Sequence, residues 1–497
     1  MKEAIRFNPT RFQNSGLIAV ALVLLVLPGA FAQGLLTPPG APAPNMKSLT
    51  QVFDQVTSAA TTAASAATNA ANAKTSADAA TAAANTAATN AANATTSADS
   101  ATSAANTAAT NAANATAAAA SAEAAALAAK DPRTAVSTLS GSGFSVHVIS
   151  QPGSYYLTAN ITAPADMNGI QITTSGVTLD LSGFAVSGPG KSVGSSGSGI
   201  YAPAGNQIRL VNGTVRDFRS FGVYLNQFCI VSNVIADSNG IFGIAAGYSS
   251  EVTHCVGSNN GAGSSTDAGY GITAGGNSTV TNNVCWNNDG GSSAGSYGMQ
   301  VGNGSVVSGN VAYAISADSS NAYGIRVFGD CVVKDNAIYG IQTFAGGTVF
   351  DISFGARCVV TNNVCSASAG GGTNASCYGL YSFSGESLIS GNTCSANNGT
   401  GTGIVAQIRA AARDHVEGNL CTSAAGTTAQ NYGILAQGNS VTIVRNTGKS
   451  NGTSDIHFDA GTSGGYAGGN LTKSAITQGG GATNNLSGTT PAPNVVF

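Results

Sequence analysis

Asparagine returns at nearly fixed intervals through the second half of this chain, and that spacing restricts the available folds more than any other feature. The column comprises Asn233, Asn283, Asn310, Asn336, Asn363, Asn392, Asn419 and Asn446, with Cys255 taking the Asn place in one repeat. From Cys255 onward the steps are 28, 27, 26, 27, 29, 27 and 27 residues. Most repeats open on an aromatic, a glycine and a branched or long apolar residue, as in Phe221-Gly222-Val223, Tyr270-Gly271-Ile272 and Tyr323-Gly324-Ile325, and then carry Val-x-x-Asn. A period in the twenties built of short β-rich runs is too short for a propeller blade and lacks the leucine pattern of a leucine-rich solenoid. A parallel β-helix remains, in which Val and Ile alternate inward and the Asn side chains stack as an amide ladder at a bend, where an αL-tolerant residue is favoured.

If Asn points inward, so does the residue two further on. That places Cys285, Ile338, Cys365, Cys394 and Cys421 in one interior column, as small hydrophobic groups. In-register neighbours on parallel strands lie about 4.8 Å apart, a spacing that also admits disulfides. The redox state of the nine cysteines is therefore left open by the sequence.

Ahead of the repeats lies an alanine-rich segment in which AATNAANA recurs at residues 66, 87 and 108, every 21 residues or three heptads. Steps of alternately three and four from Leu49 through Val52, Val56, Ala59, Ala63, Ala66, Ala70, Ala73 and Ala77 to Ala129 meet 24 positions, all apolar. A sustained 3.5-residue period implies a left-handed coiled coil over 49–130. Alanine knobs bury little area and the many Thr, Ser and Asn residues lower helix propensity, so partner copies of the same chain are expected. The competing interpretation is a low-complexity linker.

The N-terminus has the layout of a secretory signal over 1–32: Lys2, Arg6 and Arg11, an apolar run from Leu17 to Leu27, then Ala30-Phe31-Ala32 before Gln33. Its removal leaves 16 basic against 21 acidic residues, which argues against a nucleic-acid partner. No other stretch has the roughly 20 apolar residues of a membrane span, so a secreted or cell-surface location is expected. The organisation expected is a signal peptide (1–32), a Pro-rich lead (33–48), a coiled coil (49–130), a right-handed parallel β-helix of about 10 rungs (131–460) and a Gly/Ser/Asn-rich tail (461–497).

The runs Gly153-Ser-Tyr-Tyr-Leu-Thr and Val177-Thr-Leu-Asp-Leu-Ser-Gly-Phe resemble the opening rungs of bacterial β-helix proteins of the pectin-lyase-like superfamily. The chain is similar in particular to an uncharacterised exported group with the lead Leu-Thr-Pro-Pro-Gly-Ala-Pro-Ala-Pro, here Leu36 to Pro44, a Met-Lys-x-Leu segment, here Met46 to Leu49, and a Pro-Arg segment, here Pro132-Arg133. The alanine segment looks like an insertion between lead and β-helix. This resemblance implies the fold and export. It implies no activity, because the superfamily mixes lyases, hydrolases, epimerases and non-enzymes.

Members resembling polygalacturonases carry Asn-x-Asp, Asp-Asp, Gly-His-Gly and Arg-x-Lys, and no such set occurs here. The residue two before each ladder Asn, on the solvent side, is Thr281, Ser308, Lys334, Thr361, Ser390 and Glu417; Lys334 and Glu417 stand three rungs apart. Four histidines are scattered, and alternation puts neighbours within Asp414-His415-Val416-Glu417 on opposite faces. Asp267, Asp289 and Asp318 sit in loops between rungs and are the candidates for a calcium site, against the plainer alternative of solvated loop acids. Trp286, Tyr313 and Tyr339 follow the Asn column by three residues on consecutive rungs, an outward parity that suits contact with sugar rings; the alternative is a stack that braces the sheet. The function expected is a non-enzymatic surface protein, multimerised by its coiled coil, that binds glycan or envelope material. A polysaccharide lyase or hydrolase and a purely structural surface filament are the alternatives.

Overall fold

The computed structural model describes residues 49–88, 104–121, 133–264, 266–292, 294–400, 402–422, 424–426, 430–474, 476–486 and 495–496. The expected signal peptide, the Pro-rich lead and Pro132 lie outside the described residues. The chain divides into two units, 1–120 and 121–497.

In the first unit, Leu49–Ala88 is a helix of 40 residues, and residues 104–120 are helical as well. The expected coiled coil over 49–130 is thus described only as helix at 49–88 and 104–121. Hydroxyl side chains in this unit satisfy themselves on the helix: Thr61 Oγ1 donates to the Thr57 carbonyl at 2.9 Å and Thr75 Oγ1 to the Ala71 carbonyl at 3.0 Å. Such i−4 bonds satisfy the hydroxyls but add no helix stability of their own.

The second unit is a right-handed parallel β-helix of about 12 turns. One turn consists of Gly269–Ala274, Thr279–Thr281 and Val284–Trp286; the next repeats it as Ser296–Val301, Val306–Ser308 and Val311–Tyr313. The longer strands stack into a 14-stranded sheet and the two shorter legs together into a 27-stranded one. From Ser316–Ala317 a fourth short strand per turn adds a 5-stranded sheet. Coiling continues beyond residue 460 through Ser463–Gly468, Leu471–Thr472, Ile476–Gln478 and Thr483–Asn485. The solenoid is therefore longer than the expected ten rungs, and much of the expected tail is part of it. Glycine and serine there lack the Val-x-x-Asn spelling yet still offer backbone groups to the turn below.

The core is a set of columns along the axis. Val252, Val280, Val307, Val333, Val360, Ile389, Val416 and Ile443 form one, and Ile272, Met299, Ile325, Ile352, Leu380 and Ile408 face it from the 14-stranded sheet, all fully buried. Cys285, Ala312, Ile338, Cys365, Cys394 and Cys421 form a third in direct register, also fully buried. All nine cysteines are free thiols.

Asn283 through Asn446 form the interior ladder, which runs on to Asn470, but two details differ from the sequence expectation. The left-handed backbone belongs to the residue before each ladder Asn: Asn282 (φ 57°), Gly309 (66°), Asp335 (57°) and Asn362 (56°). Asn233 (φ 55°) occupies that bend position, is exposed, and is not a rung of the ladder. The register pairs Ser232 with Thr253 and Ile235 with Val256, so Val234 is the residue in line with Cys255. The Ile230-Val-Ser-Asn233 run is shifted by one residue relative to the later repeats, which in a β-leg moves a side chain to the other face.

Candidate functional site

Trp286, Tyr313 and Tyr339 project from the outer face of the 27-stranded sheet in direct register. Trp286 and Tyr313 are 6.1 Å apart with planes 8° from parallel, and Tyr313 and Tyr339 are 5.2 Å apart at 7°. Tyr339 is 42% exposed and the other two are half-buried. Rungs about 4.8 Å apart are too close for rings to lie flat side by side, so each ring partly covers the next. The terminal faces differ, because the register places only Ser258 beyond Trp286 and Ser366 beyond Tyr339.

A hydrogen-bonded polar band flanks the tryptophan end. Asn287 Nδ2 donates to Asn259 Oδ1 (2.7 Å), Asn259 Nδ2 donates to Asp237 Oδ1 (2.6 Å), and Ser258 Oγ donates to the same oxygen (2.7 Å). These groups sit at the turn that follows the Trp286 leg, where Asn259 and Asn287 adopt left-handed backbone (φ 55° and 51°). The turn therefore holds amide and carboxylate groups beside an indole, the combination that contacts the hydroxyls and the C–H face of a sugar.

The three loop acids are not assembled as calcium ligands. Asp267 is bound to Arg219 (2.8 Å) with both side chains less than one-fifth exposed. Asp289 is half-buried; its burial, and then the neighbouring Asp318 charge, push its carboxyl above the usual range. Asp318 is exposed. Among the described residues no grouping of three His, Cys, Asp or Glu is placed to hold a metal ion.

Thr281, Ser308, Lys334, Thr361, Ser390 and Glu417 stand in one column, with Lys334 and Glu417 three rungs apart. Within Asp414-His415-Val416-Glu417, Asp414 is buried and accepts the Ser387 and Ala411 N–H groups at 2.8 and 2.7 Å. His415 and Glu417 share the outer face and meet at 2.9 Å, and Glu417 also pairs with Arg445. Alternation signals that His–Glu pair, since residues two apart share a face.

Other features had weaker signals. A second buried amide ladder joins Asn239 to Asn260 and Asn260 to Asn288, each at 3.0 Å, and ends where Ile315 takes the next place. On the 14-stranded sheet, the aromatics that open the repeats form a seven-ring stack from Phe221 through Phe242, Tyr270, Tyr297, Tyr323 and Phe350 to Tyr378, with centroids 4.4 to 5.7 Å apart.

No family model matches this chain, and no curated protein matches it. Among solved structures it is similar to the Dettilon tailspike protein gp208, at 14% identity over 67% of this chain, with a TM-score of 0.38. The chain spans 60% of that tailspike's length. It is also similar to the A-modules of two Azotobacter vinelandii mannuronan C-5 epimerases: AlgE6 (14% identity, 71% of this chain and 88% of that one, TM-score 0.35) and AlgE4 (13%, 73% and 88%, 0.30).

Proposed function

We propose that this chain is a secreted or cell-surface glycan-binding β-helix protein. The observation that carries this reading is the Trp286–Tyr313–Tyr339 stack, whose tryptophan end lies next to the buried Ser258 and beside the Asp237–Asn259–Asn287 hydrogen bonds. An aromatic face with nearby amide and carboxylate groups suits a pyranose ring, which has one apolar C–H face and a polar rim. The helical segment ahead of the solenoid, with its alanine seam, would gather several copies and raise a weak single-site affinity through multivalency.

Trp286 is the only tryptophan in the chain, so its fluorescence reports on this end of the stack. Titration with a panel of oligosaccharides is expected to change that emission saturably. A Tyr313→Ala variant is expected to bind roughly tenfold more weakly, the scale of one lost aromatic contact. A full panel with no saturable change, and no retention of polysaccharide by the secreted protein, would refute the reading.

One observation favours a hydrolytic alternative: Asp289, whose carboxyl burial pushes above the usual range, lies near the exposed Asp318. Two carboxyl groups in different environments are the requirement for acid and base roles. New reducing ends that vanish in Asp289→Asn would establish it over binding alone.

A further inference from the structure

On the other side of the solenoid, where the 14-stranded sheet turns into the next leg, a groove of about 460 Å³ crosses the rungs. Gly275 and Gly302 floor it, and a Cβ at either would meet the backbone of the adjacent rung at 2.6 or 2.4 Å. Backbone thus packs on backbone, and the floor stays low because side chains are excluded there. Two aromatic residues wall the ends. Tyr248, 61% exposed, leans along the axis so that its Cε1 comes within 3.4 Å of where a Gly276 Cβ would be. Phe328 stands three rungs on, about 14 Å at the rung spacing.

Thr273, Gln300 and Arg326 point outward in one register column, the first two lining the groove and Arg326 standing beside it on the rung of Phe328. Thr273 and Gln300 make no side-chain hydrogen bond among the described residues. Arg326 is held over Phe328 (5.3 Å) and Tyr323 (5.2 Å), and among the described residues no carboxylate pairs with it. This sets it apart from Arg133, Arg219, Arg357, Arg413 and Arg445, each paired with an acid. Ring contacts fix the guanidinium plane and leave its N–H edge free for an anion.

From this geometry we infer that the groove is a second binding site, for an extended anionic oligosaccharide. Sugar rings lie along the glycine floor between Tyr248 and Phe328, Thr273 and Gln300 bond hydroxyls, and Arg326 takes a carboxylate or sulfate substituent in a two-pronged contact. The site lies on a different sheet from Trp286 and does not depend on binding there.

Calorimetry on the full chain tests this with three matched probes: cellotetraose, its C6-carboxylated counterpart and its C6-sulfated counterpart. At least one anionic probe is expected to bind at one site per chain and more tightly than cellotetraose. Arg326→Gln and Tyr248→Ala should each weaken it roughly tenfold or more, the scale of a charge-assisted hydrogen bond or an aromatic contact, while Trp286→Ala leaves it unchanged. Which anionic probe binds identifies the substituent. Equal affinity in Arg326→Gln, loss only in Trp286→Ala, or no binding of any probe would each overturn the assignment. Far-ultraviolet circular dichroism of each variant verifies that the solenoid is intact. The Trp286 titration is read separately, so failure of one site does not count against the other.

Discussion

Asn363 Oδ1 accepts two hydrogen bonds from Asn336, one from its side-chain Nδ2 at 2.9 Å and one from its backbone N–H at 3.1 Å. Asn336 Nδ2 also donates to the Val307 carbonyl at 3.0 Å, and Asn336 Oδ1 accepts the same pair of bonds from Asn310. Every polar atom of a buried amide is thereby used at a bend where the sheet ladder is interrupted. Asn336→Ala strips the acceptor from two buried donors of Asn310, each costing about 1–3 kcal/mol. We expect a loss of about 2–5 kcal/mol, read from urea unfolding or from native-state hydrogen exchange of the neighbouring rungs. Asn233→Ala, at an exposed bend outside the ladder, should cost under about 1 kcal/mol; a larger loss would return Asn233 to the ladder.

The cysteine column gives a chemical prediction. Burial pushes the Cys255 thiol up to about 11 and holds Cys365, Cys377, Cys394 and Cys421 above the ordinary thiol range. A buried thiol of raised pKa is a poor nucleophile. Cys331 is the exception, because a hydrogen bond with Cys358 lowers its thiol to about 7, although its side chain is buried. A thiol reagent at pH 8 should therefore label at most Cys331 in the native chain and all nine cysteines in denaturant without reductant. A shortfall of two in denaturant would mean an inter-rung disulfide, with the in-register Cys365 and Cys394 the first pair to examine by peptide mapping.

The sequence exposes those features that the solenoid must repeat. Asn283 to Asn446 are legible because each amide depends on the next, so a change of spacing would break the chain of bonds. The Trp286 column is legible because side-chain alternation follows from strand geometry, whatever the loops do. What is hidden follows from the same logic. Asp267 reaches Arg219 across 48 residues through irregular loops, and no period relates the two. The ladder Asn239–Asn260–Asn288 spans only three rungs before Ile315 and Ile341 replace amides, too few for a column to stand out. The strands at 463–485 are spelled in Gly, Ser and Asn, so hydrogen bonding to the previous turn makes them strands, without a strong apolar pattern of their own. The groove between Tyr248 and Phe328 joins residues 80 positions apart, and only the rung register brings them to one face.

Asp351 breaks a rule of its column. It stands in register with Gly324 and Gly379, is fully buried, accepts a bond from Ser368 Oγ, and has no partner for Oδ2 among the described residues. Burial, outweighing the Ser368 and Asn397 hydrogen bonds, raises its pKa well above the ordinary carboxylate value. An acid whose folded pKa is raised contributes its full stability below the unfolded pKa, about 4, and loses it as pH climbs toward the folded value. The wild-type chain should therefore lose stability from about pH 4 upward on this account, and Asp351→Asn should remove that part of the slope. Thermal unfolding of both proteins from pH 4 to 8 measures it. The variant is expected to gain on the order of 1 kcal/mol or more over wild type at pH 8 relative to pH 4; parallel curves would mean Asp351 is ionised in the fold.

The helical segment yields the remaining test. In Leu49–Ala88 the seam alanines Ala66, Ala70 and Ala73 are exposed among the described residues. Isolated helices with so much Thr, Ser and Asn are marginal, since helix stability in water comes chiefly from a packed face. Self-association through the seam would supply that face. On this argument Ala70→Glu, which puts a charge in the seam, should lower both the oligomer mass in sedimentation equilibrium and the helical signal near 222 nm in circular dichroism. Thr68→Glu, off the seam, should change neither beyond the loss of one Thr68 bond to the Ala64 carbonyl. If both variants sediment as wild type does, the seam is not an interface. If wild type is a monomer of about 49 kDa, the helix stands alone, and the proposed glycan sites would act without multivalency.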